Sequence, residues 1–474
     1  MAVDSIDISL NQPAELTRGA YPIPLTSPTT AGFLGRTERG PINEPVCVES
    51  FPEYCRYFGG HLSGGAVSAA VQDYFLHGGR RAVIVRVANR AARAKIDVPA
   101  GDDMLRLEAR YPGRHEALRV SIDYERTQDD DDRFNLVVQR LSSNGARLVE
   151  DQEIYPLVSV RRSDPRFVGD VVSDSRLITI AGAIPERRPD ATPPERPGAS
   201  VRYIGLTSPG DDGVELTDYD VIGSDRDGTG LFAFARGPRI DLLAIPLPAD
   251  KELGTTAFIA ASRYCEHHRS LLIWDPPLAW QSADSAMLGA RRLNFANGNV
   301  LTYFPRVRPR GAGARFAAGI TASGAIAGML AQRDRGGIWA ARGDYALRPA
   351  LTPVVGVSDA EAKALIRYGI NAFVPRGGGA AKLVGGVTLG AAGFGPSFSL
   401  SLDRRRLAFF ILNSIEDAAA AAVAADDPRA ALLRCEWQCR RFFDELFEHG
   451  ALKGKTPAQA YYLQTRHAAD ETAG

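Results

Sequence analysis

The chain has 474 residues, 45% of them hydrophobic and 24% charged, with 56 Lys+Arg balanced by 56 Asp+Glu. That length suits about three domains at roughly 150 residues each, and the composition is ordinary for a soluble globular protein. The charge balance excludes a global field that would draw the chain to nucleic acid or to an anionic membrane.

Residues 1–30 show no helical period, and Pro13, Pro22, Pro24 and Pro28 impose extended or turn conformations. This segment reads as an extended arm. Its start, "MAVDSIDISL", has two aspartates, no basic region and no long apolar stretch, unlike a signal peptide. "TAGFLGRTERGP" predicts a short strand and a Gly-Pro turn. "FPEYCRYFGG" and "GAVSAAVQDYFLHGG" predict helices stopped by glycines. "RAVIVRVA" predicts a β-branched strand. From about 96 to 180 the pattern becomes short alternating segments, "MLRLEARY", "ALRVSIDYE", "RFNLVVQRL" and "ARLVEDQEIYPL", separated by Pro112-Gly113, the acidic run Asp129–Asp132 and Ser143-Asn144-Gly145. That is an antiparallel β module, with the acidic run as a solvated hairpin tip. Residues 181–200 read as an exposed linker.

Beyond residue 200 apolar strands ("IDLLAIP", "SLLIWDPP", "NVLTYFP") alternate with helices ("ELGTTAFIAASRYCEHH", "SADSAMLGARRLNF" with Ser282 as N-cap, "GITASGAIAGMLAQR"). Such alternation predicts βαβ units around a parallel sheet. A helix from Asp359 to Tyr368, strands around "INAFVP" and "KLVGGVTLG", and a long helix in "PRAALLRCEWQCRRFFDELFEHG" complete the chain, whose last residues read as disordered. No run approaches the ~20 apolar residues of a membrane-spanning helix.

A search for chemistry returns little. There is no G-x-S-x-G elbow. His77 and His449 sit before glycines at predicted helix C-termini, where a cation is favourable. "GALKGKT" has one residue too few for a phosphate loop and reads as a helix cap and turn. Cys435 and Cys439 could supply half a zinc site, but no other ligand is near in sequence. With an odd total of five cysteines, a disulfide framework is not expected, and a reducing compartment fits. "SDRDGTG" lacks the distal acid of a calcium loop. "RVRPRGAGAR", carrying Arg306, Arg308 and Arg310, suits a protein contact surface better than nucleic acid. No cofactor or metal is expected.

The stretch "ASGAIAGMLAQRDRGGIWAARGDYAL" closely resembles the signature of contractile tail sheath proteins of bacteriophages and contractile injection systems, keeping Arg333, Asp334, Arg335, Gly337, Trp339 and Ala340. Further blocks match in order: "TTAGFLGRTERGPINEPVCVESFPEYCRYFGG", "AAVQDYFLHGGRRAVIVRV" (His77 replacing the usual Asn), "GTGLFAF…IDLLAIP", "SRYCEHHRSLLIWDPP", "YGINAFVPRGGGAAKLVGGVTL" and "FFDELFEHGALKGKTPAQAYYLQT". The resemblance spans about Thr30 to Thr465. It departs at Val384-Gly385-Gly386-Val387, which lacks the family's Trp and Arg, and it stops short of the family's last strand.

The resemblance implies an α/β (α+β overall) chain. Its parts would be an extended arm (1–30), an N-terminal part of the core (31–95), an inserted β module (96–180), a linker (181–200), a central subtilisin-like α/β sheath domain with a parallel sheet (201–355) and a C-terminal α+β sheath domain (356–474). It implies a non-enzymatic subunit that stacks as hexameric rings around an inner tube and contracts to drive the tube through a target cell envelope. The implied partners are other sheath subunits, the tube protein, and baseplate and tail terminator proteins, with no nucleic acid and no membrane insertion. Assembly would take place in the bacterial host cytoplasm, before incorporation into a phage tail or injection particle. An end-ring paralogue or baseplate adaptor without the usual linking arm stays open, as does a hydrolase using the α/β domain. Arg333, Asp334, Arg335, Trp339, Arg306, Arg308 and Arg310 are candidate subunit contacts. For the first three, an intrachain cap on the α/β domain is an equal reading.

Overall fold

The computed structural model describes residues 23–464 apart from 26–27, 61–64, 128–129, 143–147, 194–200, 294, 296, 312–317, 340–344, 349, 377–380, 390–400 and 424–427. Most of the expected N-terminal arm and the expected tail therefore lie outside the described residues.

The chain opens with β1 (Thr30–Gly35), β2 (Val46–Val48), α1 (Phe51–Phe58), α2 (Ala66–Leu76) and β3 (Arg81–Arg86). Ser50 caps α1 by accepting from the Glu53 amide, and Gly59, at φ 85°, stops the helix at its other end as the glycine pattern predicts. The β module follows: β4 (Lys95–Ala100), β5 (Asp103–Ala109), β6 (Leu118–Asp123), β7 (Arg133–Leu141), β8 (Val149–Ser159), α3 (Val168–Val171) and β9 (Ile178–Ile180). It forms two antiparallel three-stranded sheets, β4-β5-β9 and β6-β7-β8. Alternate residues such as Ile96, Val98, Leu105, Val120, Phe134 and Leu136 point into a core of the module's own. Arg188 donates to the Thr127 and Arg133 carbonyls (2.8 and 3.0 Å) and so pins the base of the acidic hairpin tip.

Then come α4 (Asp218–Ile222), β10 (Leu242–Ala244), α5 (Thr255–His267), β11 (Leu271–Ile273), α6 (Ala283–Leu293), β12 (Val300–Leu301), β13 (Tyr303–Phe304), β14 (Val307–Pro309) and α7 (Ser323–Arg333). The main sheet runs β12-β11-β10-β1-β3-β2, parallel except for the edge strand β2. Strands from residues 31–95 and 201–355 thus share one sheet, and the β module is looped out between them. Both faces of the sheet are covered. Phe33 and Ile84 pack towards α1, α2 and α7, whereas Leu34, Val83 and Val85 pack towards α5 and α6. On the first face α7 lies directly against α2. A Cβ on Gly324 would collide with the Ala70 backbone, and one on Gly328 with the Tyr74 carbonyl, so these two glycines set how closely the helices approach.

β15 (Ala346–Leu347), β16 (Leu351–Pro353), α8 (Asp359–Ile366), β17 (Asn371–Pro375) and β18 (Ala381–Val384) build a second sheet, β13-β17-β18-β15, and a β14-β16 ribbon. The single strand expected in "NVLTYFP" is divided between the two sheets. At the break, the Thr302 carbonyl accepts from both the amide and the side chain of Asn371 (3.0 Å each). Last come α9 (Leu402–Val423), α10 (Pro428–Glu448) and α11 (Pro457–Ala460). α10 ends in a turn at Gly450 (φ 75°), the segment that resembled a phosphate loop. Helix α9 was not foreseen. Its apolar residues Leu407, Phe410, Ile411, Ile415 and Ala418 recur at helical spacing and meet Cys439, Phe442 and Leu446 of α10 in a separate small core.

Candidate functional site

The charged run at the end of α7 is mostly buried. Asp334, 4% exposed, accepts two hydrogen bonds from the Arg406 guanidinium (2.7 Å to Oδ1, and a second at Oδ2) and one from the Thr29 hydroxyl. Arg406 is itself buried and belongs to α9. Arg333 is buried too, and its Nη1 lies 2.7 Å from Asp403, also on α9. Beside this cluster Asp241, just before β10, accepts from the Thr30 amide at 2.8 Å, and burial pushes its carboxyl above the usual carboxylate range. One bidentate pair therefore joins the start of β1, the end of α7 and the start of α9. An Arg–carboxylate fork of this kind fixes orientation as well as distance.

The same helix is held under the sheet by further polar contacts. Arg405 donates to Asn299, just before β12 (2.6 Å). Arg269, just before β11, donates to Glu416 (2.5 Å), and Arg239, ahead of β10, reaches Glu416 and Asp417 (3.3 Å each). α9 thus spans the N-terminal ends of the parallel strands on a seam of charges.

The other candidates divide. Trp339 is half-buried against Phe410 of α9, with ring centroids 6.4 Å apart, in the α9–α10 core. Arg306 is buried and donates to the carbonyls of Pro276, Ala249 and Lys251 (2.8, 3.2 and 3.3 Å). Its neighbour Asp275 caps α7 by accepting from the Ala322 and Ser323 amides (2.9 and 3.1 Å). Arg308 and Arg310 are exposed at β14. Arg335 is exposed, with one bond to the Gly78 carbonyl (2.6 Å). Arg333, Asp334, Trp339 and Arg306 therefore spend their described contacts inside the chain, and Arg335, Arg308 and Arg310 face outward. Sequence reasoning missed Thr29, Asp403 and Arg406, the partners that make the cluster.

His77 differs from its expected role as a cation on a helix end. It lies buried at the end of α2, with Nδ1 at 2.7 Å from the Asp73 carbonyl and Nε2 accepting from the Arg348 amide at 3.1 Å. Burial holds its pKa down, and an accepting Nε2 requires the neutral ring.

In open α/β sheets ligands bind beyond the C-terminal ends of the strands. Here the space beyond β10 and β11, enclosed by Leu247, Trp274, Asp275 and Arg306, measures about 10 Å³. A larger cavity of about 610 Å³, between α7 and the second sheet, has no His, Ser or Cys among its described lining residues. Cys435 and Cys439 lie buried in the α9–α10 core, and among the described residues no three His, Cys, Asp or Glu are grouped to hold a metal. Among them, too, no helix is long and apolar enough to cross a membrane.

No family model and no curated protein matches this sequence. Solved structures do match its fold. A sheath tail protein from Listeria innocua superposes with a TM-score of 0.62 at 11% identity, covering 91% of this chain and 88% of that one. A sheath tail protein from Desulfitobacterium hafniense gives 0.57 at 13% identity over 95% and 92% of the two chains. The sheath of an extracellular contractile injection system (PVC), in its contracted state, gives 0.54 at 13% identity over 99% and 92%. The chain has the mixed α/β fold of these sheath proteins along nearly its whole length.

Proposed function

We propose that this chain is a structural subunit of a contractile sheath, stacking as six-membered rings around an inner tube and contracting to push the tube through a target envelope. The observation that carries the reading is the extent of the likeness: a sheath fold over 91–99% of the chain rather than over one shared domain. The packed strand ends support a structural role over the hydrolase reading. The partners are further copies of the chain, a tube protein, and baseplate and terminator proteins, met first in the bacterial cytoplasm and then in the particle. Contraction would exchange one set of subunit contacts for another without nucleotide, in a lattice that behaves as a bistable element. The exposed Arg308, Arg310 and Arg335 are the proposed contact residues. The rigid Asp334–Arg406 clasp keeps each body intact while contacts between bodies change.

Negative-stain microscopy of the purified chain, alone and with its tube protein, tests this. Striated tubes or stacked six-fold rings are expected. Uniform small particles in both samples would overturn the reading.

A further inference from the structure

Resting on the sheath reading, we propose that Arg80 and Arg335 form a notch that receives an aspartate or glutamate side chain from a second copy of this chain. A surface cavity of about 350 Å³ opens between Pro28–Thr29, Gly78, Arg80, Arg335 and the buried Asp334. Most other arginines near this part of the fold already have an acid: Arg333 has Asp403, Arg406 has Asp334, and Arg239 and Arg269 share Glu416. Arg80 has no side-chain partner among the described residues, and Arg335 has only the Gly78 carbonyl. That one bond orients the Arg335 fork and leaves its other N–H groups available. Asp334 forms part of the cavity wall but is already engaged by Arg406 and Thr29.

The ends of α2 and α7 come together here, and each contributes about half a negative charge. This favours cations at the site and offsets about one of the two guanidinium charges, so that about one positive charge stays unmatched. Helix C-termini also present carbonyls rather than amides. Beside those carbonyls the remaining single positive charge is matched by one carboxylate, which two guanidinium forks can hold, and is exceeded by a phosphate carrying about two charges. The occupant is assigned to a second copy because, on the sheath reading, the surfaces that face one another in the lattice belong to copies of this chain, each with 56 Asp+Glu to supply the carboxylate. In a lattice of identical subunits every notch then meets the same neighbouring acid.

The test uses the full chain with its tube protein. Arg80→Lys places an amine in the notch, and zero-length carbodiimide coupling joins amines to touching carboxylates. Assemblies are made from mixed ¹⁴N- and ¹⁵N-labelled chains. An inter-copy peptide linking position 80 to one Asp or Glu is expected in assemblies and not in the unassembled fraction. The Arg80→Ala/Arg335→Ala variant is expected to raise the concentration needed for assembly at least tenfold, with an unchanged melting temperature of the monomer. Assembly of both variants at the wild-type concentration without that cross-link would overturn the notch and leave the sheath reading standing. Failure of the wild type to assemble at all would overturn both.

Discussion

Asp334 and Arg335 are adjacent in sequence and opposite in consequence. Removing one partner of a buried ion pair leaves the other charge desolvated, a loss of about 3–5 kcal/mol. Asp334→Ala, which strands the buried Arg406, is expected to lower stability by that order in chemical denaturation, whereas Arg335→Ala on the surface changes it little. His77 supplies a pH dependence. Burial depresses its folded pKa below the ordinary value of about 6.5. As pH falls through that value the unfolded chain takes up a proton that the folded chain refuses. The stability is therefore fully present above about 6.5 and is lost as pH falls towards the folded pKa. Nearby Asp73, raised to about 7 by burial, works the other way. His77→Gln isolates the histidine: it can keep both hydrogen bonds, and the fall in melting temperature between pH 7 and 5 should be shallower than in the wild type. Equal slopes would show that His77 does not couple folding to pH.

At the scale of elements, the α2–α7 contact depends on side chains that are absent. With the Gly324 Cα facing the Ala70 backbone, Gly324→Ala must push the helices apart, and overpacking of this kind costs about 1–3 kcal/mol despite the better helix propensity of alanine. An unchanged denaturation midpoint would mean that the helices separate freely. The chain pattern "GITASGAIAGMLAQR" was enough to predict α7, but not that its glycines form a contact face, since a glycine reads as a weak helix former until its neighbour is known. Helix α9 was legible in the spacing of Leu407, Phe410, Ile411 and Ile415, a signal hidden by the arginine run before it and the alanine run after it.

At the scale of the whole molecule, the β module packs around a core of its own. Its core contains no residue of the main sheet, and its entry and exit lie side by side, with Ala92 and Asp211 exchanging both backbone hydrogen bonds (2.9 Å each). It meets the body through charges: Arg39 with Glu150 (2.9 Å), and the buried Arg86, which faces Glu116 and Asp212 and which burial draws down to about 10. A fragment covering residues 92–211 is expected to fold alone with one cooperative thermal transition. A fragment that melts gradually would show that the module depends on the charged joint.

Most individual strands and helices, α9 and the divided strand at Thr302 apart, were decided locally, because β-branched runs, period-two alternation and glycine stops act over a few residues. The likeness to sheath proteins, too, was legible in the order of the sequence blocks along the chain. The role of the Arg333–Asp334–Arg335 run was not. Thr29 lies about three hundred residues before Asp334 in sequence, and Arg406 some seventy after it. Nothing local distinguishes a buried arginine from a solvated one. Only the packing of α9 beneath the sheet brought the three together, and burial then made their pairing obligatory, since a charge removed from water must find its counter-charge within the fold.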